Sequence, residues 1–336
     1  MAKKKKKSNL VQNAKIDTAL DLAMGVTDPA MIATDILIDQ LIDALTDHYS
    51  TAAEEVQQKA NNYFSNFEKK DKVKQQAFQS GKITKEEYTT WRKNQLLIGD
   101  KWNEMAQTLA EDLTHTNEIA TSIINGEKCA AYALNHNYGT YEIEHATGLD
   151  TSYVLYDKAT VERLVAQNPS VLPQNKVKAA KDIAWNQQKI NSAIIQGVLQ
   201  GESIPKIASR LQSVTDMNKN AAIRNARTAM TGAQNAGRVD SHKRAAAMGI
   251  DMTQMWISTL DGRTRDSHRM MMGEERNVGE EFSNGCEYPG DPAGPPEEIY
   301  NCRCTLIGKV KGSRYNLGSI VDNNLSKKGM TFDDWI

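Results

Sequence analysis

Gly249-Ile250-Asp251-Met252-Thr253-Gln254-Met255-Trp256-Ile257-Ser258-Thr259-Leu260-Asp261-Gly262 is where the texture of this chain changes. Before it, apolar residues recur at three and four spacing; within it they alternate. Met255 and Ile257 against Gln254 and Trp256 read as a strand over Met252 to Thr259, because extended chain points successive side chains to opposite faces. From Asp261-Gly262 onward come Gly273, Gly279, Gly285, Pro289-Gly290, Asp291-Pro292 and Gly294-Pro295-Pro296, which are turn signals. A loop of that length in a compact domain is functional or is held by something. Cys304-Thr305-Leu306-Ile307 reads as the strand that returns and closes the unit. The expectation is a small α+β unit over 251–312 with long Gly/Pro-rich loops.

Upstream, everything reads as helix. Lys176 to Leu199 carries Ile190, Ile194, Ile195, Val198 and Leu199 on one face, and Gly201 stops it. Ser203-Ile204-Pro205-Lys206 opens a short helix with Ile207, Ala208 and Leu211, and a third runs from about Asn218 to Met248. Short helices joined by tight turns describe a generic bundle, and equally a helix-turn-helix DNA reader. Nearer the start, Ile32, Ile36, Leu37, Leu41, Ile42 and Leu45 form an apolar stripe behind Asp28-Pro29, an N-cap followed by proline at the first helical position. A second helix is expected from Glu54 to Phe78, ended by Ser80-Gly81. Thr84 and Glu87 then form a capping box, with Tyr88, Trp91 and Gln95 as a core-facing stripe. Trp102 to Ile124 reads as helix ending near Asn125-Gly126, Cys129 to Asp150 as an irregular, partly buried segment, and Pro169 and Pro173 as a loop.

At 336 residues and 37.3 kDa the chain is long enough for two or three units, and 40% hydrophobic with 25% charged residues suits a core-forming protein. No apolar run reaches the roughly 18 residues of a membrane span; Ile36 to Ile42 is broken by Asp39. Met1-Ala2 and Lys3 to Lys7 look like the start of a signal peptide. Lys15, Asp17 and Asp21 interrupt the stretch where its apolar region would lie, so secretion by that route is not expected. Residues 1–10 are expected to be a disordered basic tail, and 11–170 a helical region. Four cysteines form no disulfide framework and fit a reducing compartment. Phe332, Trp335 and Ile336 come after a polar linker, so 313–336 reads as linker and docking peptide.

The net charge of −1 conceals −8 over 11–58 and +8 over 171–250. In that basic helical region Arg224, Arg227, Arg238, Lys243 and Arg244, interleaved with Asn and Gln, suit the phosphates of double-stranded DNA; a solvated helix face has the same pattern. His268, Cys286, Cys302 and Cys304 are candidate ligands for one zinc ion, which accepts thiolate and imidazole in a tetrahedron. The competing reading is buried cysteines with His268 hydrogen-bonded to Asp261 or Asp266. Asp261, Arg263, Arg265, Asp266 and His268 are dense enough for acid–base catalysis. The preferred reading is a turn at Asp261-Gly262 with arginines tying the loop through carboxylate pairs. The zinc-deaminase pattern, G-x-S-x-G, Walker A and G-x-G-x-x-G are all absent.

Trp256-Ile257-Ser258-Thr259-Leu260-Asp261-Gly262-Arg263-Thr264-Arg265-Asp266-Ser267-His268, then Gly273, Phe282, Pro289, Asp291-Pro292 and Asn301-Cys302-Arg303-Cys304, resembles the phage Mu F-like head morphogenesis family. Ala226-Arg227-Thr228 and Gln234-Asn235-Ala236-Gly237-Arg238 resemble the helix that precedes that domain. The likeness spans roughly 190–307, about a third of the chain. Some members pair Cys with Cys where this chain has Arg265 and His268, and carry a His where it has Tyr300-Asn301. The resemblance implies a minor head protein of a tailed phage. It would sit in the head interior of the virion, and in the host cytoplasm during assembly. Its partners would be the portal and the major capsid or scaffolding proteins, and it would act in DNA packaging or delivery without being an enzyme. The alternatives are a metal-dependent or ADP-ribosyl-transferring enzyme on the C-terminal unit, or a helix-turn-helix regulator.

Overall fold

The structure, a computed structural model, describes residues 28–96, 100–149, 154–312 and Phe332. The basic tail and most of 313–336 lie outside the described residues. The elements run α1 (Pro29–Gln79), α2 (Lys85–Leu96), α3 (Asp100–Thr147), α4 (Lys158–Gln167), α5 (Ala179–Leu199), α6 (Ile204–Ala247), β1 (Met252–Ile257), α7 (Asp266–Met270), β2 (Glu275–Asn277), α8 (Pro296–Ile299) and β3 (Thr305–Val310). The fold is mainly helical with a small antiparallel sheet at its C-terminal end, in the order β2-β1-β3. Among the described residues no helix is long and apolar enough to cross a membrane.

Local signals at helix starts hold. Asp28 Oδ1 accepts from Met31 N at 2.8 Å, capping α1. Thr84 and Glu87 exchange bonds of 2.8 and 3.1 Å at the head of α2. Helix ends differ from expectation. The two helices expected between Ile32 and Phe78 are the single α1, and α3 runs through Asn125-Gly126 and through the segment expected to be irregular. The two helices expected from Ser203 to Met248 are the single α6, so the turn expected between them does not occur. Asp157, accepting from Thr160 N at 2.7 Å, caps α4, which periodicity alone does not reveal.

The chain divides into two compact units, Met1–Leu41 with Ile123–Gln174 and Arg224–Ile336, and Ile42–Ser122 with Asn175–Ile223. In the second unit Phe64, Trp102, Leu109, Leu113, Ile190, Ile194, Ile207 and Leu211 form one core. Asn117 Nδ2 reaches both Asp182 and Asn218 at 2.7 Å beside it. Of the stripe expected to face the core, Tyr88 is buried, Trp91 is half-buried and Gln95 is exposed.

In the first unit the sheet covers both its faces. Gln254 and Trp256 turn towards α6, where Gln254 Nε2 meets His242 Nδ1 at 3.1 Å and Trp256 packs with Val239, Phe282 and Leu306. Ile257 and Ile307 pack with Met31 of α1 on the other face. Burial, with Arg238 nearby, lowers the His242 pKa to about 3 and keeps the ring neutral. The loop from 260 to 300 is held by α6. Asn235 donates to Pro289 O and Cys304 O at 3.1 and 3.2 Å and accepts from Leu306 N at 2.9 Å. Gly232 and Gly290 meet backbone to backbone; a Cβ on Gly232 would stand 2.7 Å from Gly290 O. Phe332 is buried against Ala30 and Tyr138, its ring edge-on to Tyr138 at 5.1 Å, so the docking expected of that residue occurs within the chain.

Asp35 on α1 carries a pH signature. Burial first, then Asp39 and Asp28, raise its pKa to about 6. The native state therefore holds this proton more tightly than the unfolded chain. The stability it contributes is present below about pH 4 and is lost as pH rises through 6. Asp35→Asn should stabilise the protein by about 1–2 kcal/mol above pH 7, after discounting for partial exposure. Urea midpoints should show that gain shrinking to nothing near pH 4; a gain independent of pH would assign it to something other than this carboxyl.

Candidate metal centre

The centre sits where three short elements converge on β1. Cys302 and Cys304 immediately precede β3 in extended chain, so both side chains point the same way and Arg303 points the other. Arg303 grips Asp261 with two bonds, 2.5 and 2.7 Å, and accepts from Thr259 Oγ1 at 2.7 Å through its carbonyl. Arg303's guanidinium holds the Asp261 carboxyl far below the ordinary carboxylate range. The bidentate pair expected of this cluster is thus made by Arg303. Asp261 also takes the Arg263 N–H at 2.8 Å, which shapes the turn. The result aims both sulfurs inward.

His268 comes from α7. Its carbonyl accepts from Ser258 Oγ, and its ring stands edge-on to Trp256 with centroids 5.4 Å apart. Nδ1 lies 3.3 Å from Cys304 Sγ and 3.7 Å from Cys302 Sγ, and the three donor atoms fall within 4.8 Å of one another. All three residues are buried. Zinc with nitrogen at about 2.0 Å and sulfur at about 2.3 Å separates them by roughly 3.5 Å, so the spacing fits a shared ion. His268 does not bond Asp261 or Asp266. Its Nε2 instead lies 2.8 Å from Glu298 Oε2 on α8, a close but not collinear approach.

The electrostatics favour charge here. Cys304 is held well below the ordinary thiol range, chiefly because Cys302 donates to its sulfur, with His268 adding to the effect. Cys302 correspondingly keeps its proton. His268 is raised; burial opposes this, and the Cys304 sulfur and Glu298 outweigh it. A thiolate beside a cationic imidazole and a cation shared between them are two ways to satisfy this donor set. Cys286 lies outside the group: it packs in the same apolar cluster, its sulfur against Gly294, and burial first, then Asp291, push its thiol up to about 12. Of the four candidate ligands read from the sequence, three form a group that could hold an ion.

The expected DNA contacts separate as well. Arg224 and Arg227 are exposed, and no ion pair among the described residues involves them. Lys243 and Arg244 are exposed but pair with Glu287 at 2.6 Å and Asp240 at 3.0 Å. Arg238 is buried, bound to Asp28 at 2.5 Å, to Asn135 at 3.0 Å and to Leu306 O at 3.1 Å. It is closed to phosphate, and its likeness to the neighbouring arginines is one of charge alone. The motif residues around it share its structural work: Thr228 Oγ1 accepts from Asn301 N at 3.0 Å, and Thr231 Oγ1 donates to Cys302 O at 3.0 Å.

Comparison with known proteins places this geometry. The family model described as phage Mu protein F like protein matches residues 188–307. The minor head protein GP7 of Bacillus phage SPP1 is 30% identical over 190 residues, 54% of this chain and 59% of that one. The NAD(+)–arginine ADP-ribosyltransferase EFV of Enterococcus faecalis is 29% identical over 150 residues, 44% of this chain and 31% of that one. The chain thus spans less than two thirds of either relative. No solved structure matches it. Residues 188–307, which contain His268, Cys302, Cys304 and the whole of α6, are thus similar to the family described as phage Mu protein F like protein.

Proposed function

We propose that the chain is a minor head protein of a tailed phage. It associates with the portal inside the procapsid, beside major capsid or scaffolding proteins, and serves head morphogenesis and DNA packaging or delivery. The observation that carries this reading is the 190-residue likeness to a phage minor head protein, in agreement with the family match. Along the sequence, contact with DNA is assigned to the basic helical region 171–250 and the family-specific architecture to the unit over 251–312. Residues 1–10, 11–170 and 313–336 serve as basic tail, helical region, and linker with docking peptide. One zinc ion held by His268, Cys302 and Cys304 staples the long loop to β3. Thiolate and imidazole donors select zinc over magnesium or calcium, which take oxygen ligands. Mass spectrometry of purified particles tests the main reading: the chain should be present, in far fewer copies than the major capsid protein. Particles complete without it would overturn the proposal.

The second reading, an enzyme, has the transferase relative behind it. What weighs against it is the state of the carboxylates near the centre. Asp261 is tied to Arg303, Glu298 to His268 and Ser267, and Asp291 to the Glu287 and Ala293 amides at 2.9 Å. Each is engaged within the fold.

Contact with duplex DNA is expected to be independent of sequence and to run through Arg224 and Arg227. Each phosphate neutralised contributes about −0.9 to the slope of log affinity against log salt. Arg224→Gln with Arg227→Gln should therefore flatten that slope by roughly two. Fluorescence anisotropy across a salt series reads it directly. An unchanged slope would remove this helix from DNA contact, and a strong preference for one sequence would contradict a packaging role.

A further inference from the structure

We infer that the exposed ring of Tyr300 is a stacking platform for an unpaired DNA base, beside the guanidinium groups of Arg224, Arg227 and Arg265. This rests on the DNA reading above, in which Arg224 and Arg227 meet phosphate, and adds single-stranded DNA as the substrate class.

Tyr300 follows α8 and is 57% exposed. Its backbone is nevertheless tied on both sides. Tyr300 N donates to Pro296 O at 3.3 Å, and its carbonyl accepts from Arg265 Nη2. The next amide, Asn301 N, donates to Thr228 Oγ1 of α6 at 3.0 Å. Asn301 has φ 57°, the only non-glycine residue in the left-handed region among the described residues. In uninterrupted extended chain Tyr300 and Cys302 would share a face. The left-handed residue between them breaks that phase, so Cys302 is buried while Tyr300 stays in solvent. Asparagine adopts this conformation more readily than most residues. The result is a fixed mount for a solvent-facing ring.

The same ties bring the mount to cations. Thr228 follows Arg227 directly, and its hydroxyl donates to Arg224 O at 3.1 Å. Arg224 and Arg227, three apart, share a face of α6. Both are exposed, and no ion pair among the described residues involves them. Arg265 reaches Tyr300 from the segment that leads into α7. An aromatic ring beside guanidinium groups matches single-stranded nucleic acid, because the cations take phosphates while the ring takes the face of a base. A duplex keeps its base faces stacked, so it engages the arginines and leaves the ring idle. An acidic protein surface would do the same. Binding should tolerate any sequence, since every base has a π-face. Glu297, exposed on α8, opposes a polyanion.

The test compares two forms of DNA on full-length protein. Fluorescence anisotropy is recorded with a labelled thymidine oligonucleotide of about 12 nucleotides, and separately with a duplex of equal length. Tyr300→Ala should weaken single-strand binding by about 5–150-fold, the loss of one base stacked on an aromatic side chain, and leave duplex binding unchanged. Tyr300→Phe keeps the ring and should bind as wild type does. Glu297→Gln should tighten binding of both forms. Ultraviolet cross-linking of a bromouracil oligonucleotide, read by peptide mass spectrometry, should place the adduct on Tyr300. An equal loss on both forms in Tyr300→Ala, or no loss on either, overturns the platform. A Tyr300→Phe variant as weak as Tyr300→Ala assigns the effect to the hydroxyl and overturns stacking. Duplex binding without single-strand binding overturns the platform and leaves the DNA reading standing. Binding of neither form overturns the DNA reading, and this inference with it.

Discussion

Replacing Arg238 with alanine should cost about 3–5 kcal/mol of stability, the largest effect expected from any single substitution in this chain. Its guanidinium is buried, and the Asp28 carboxylate 2.5 Å away is equally buried. Removing one partner leaves the other charge without compensation in a dry environment. Two further bonds, to Asn135 Oδ1 and Leu306 O, are lost with it. Glu142 stands nearby, its carboxyl pushed up by burial, and a carboxyl supplies no positive charge in place of the guanidinium. Urea denaturation should show the loss in the midpoint. The double variant Asp28→Asn with Arg238→Met should recover part of it, since asparagine keeps the helix cap and neither side chain then carries a charge. A loss under about 1 kcal/mol would mean that the pair is solvated, contrary to its burial.

Substituting Cys304 with serine should remove zinc altogether. Protein purified without chelator should carry about one zinc per chain, and Cys304→Ser, Cys302→Ser and His268→Ala none, because each variant leaves only two of the three protein donors. Cys286→Ser should retain the metal, since Cys286 lies outside the ligand group. Affinity should fall as pH falls, because protons compete for the thiolates. Metal loss should also expose the loop: limited proteolysis should cut between Gly273 and Glu298 sooner in the stripped protein and in the variants. Stripped protein whose loop resists cleavage equally well would show that hydrogen bonds among His268, Cys302 and Cys304 suffice.

Periodicity reports the type of the long helices and of β1 and β3, misses the short α4, α7, β2 and α8, and fails where a glycine or a polar run is read by itself. Gly126 reads as a helix end because glycine costs about 1 kcal/mol in a helix interior; α3 continues through it to Thr147. Gly139 and Gly237 show the compensation. A Cβ on Gly139 would stand 2.1 Å from Ser241 Oγ, and one on Gly237 would stand 2.4 Å from Tyr132 O. These glycines are where α3 and α6 touch, and the closeness of packing outweighs the local penalty. The polar residues of the segment expected to be irregular are likewise partnered: Asn135 with Arg238 and Thr34, and Asn137 with the backbone of Tyr156.

At the site, His268, Cys302 and Cys304 are legible because a Cys-x-Cys in extended chain must share a face. Cys286 is a natural fourth by chemistry, but nothing local tells which way a loop thiol turns. Glu298 escapes a sequence reading: beside Glu297 at the start of a short helix it has the look of solvated charge. Arg238 misleads for the matching reason, since its partner is 210 positions away and charge counting cannot see burial.

That separation has a consequence in time. The first unit is assembled from three stretches of chain, with its helical cap near residue 28 and its closing strand ending at Val310. Ribosomes add about 5–20 residues per second. Asp28 therefore waits roughly 10–40 s after its own synthesis before Arg238 exists to meet it. Throughout that interval Met31, buried in the finished unit against Ile257 and Ile307, lacks the surfaces that cover it there. A nascent chain stalled before β3 has yet to make the Ile307 side of the cluster that covers Met31. The start of α1 is covered in part by the last strand of the sheet.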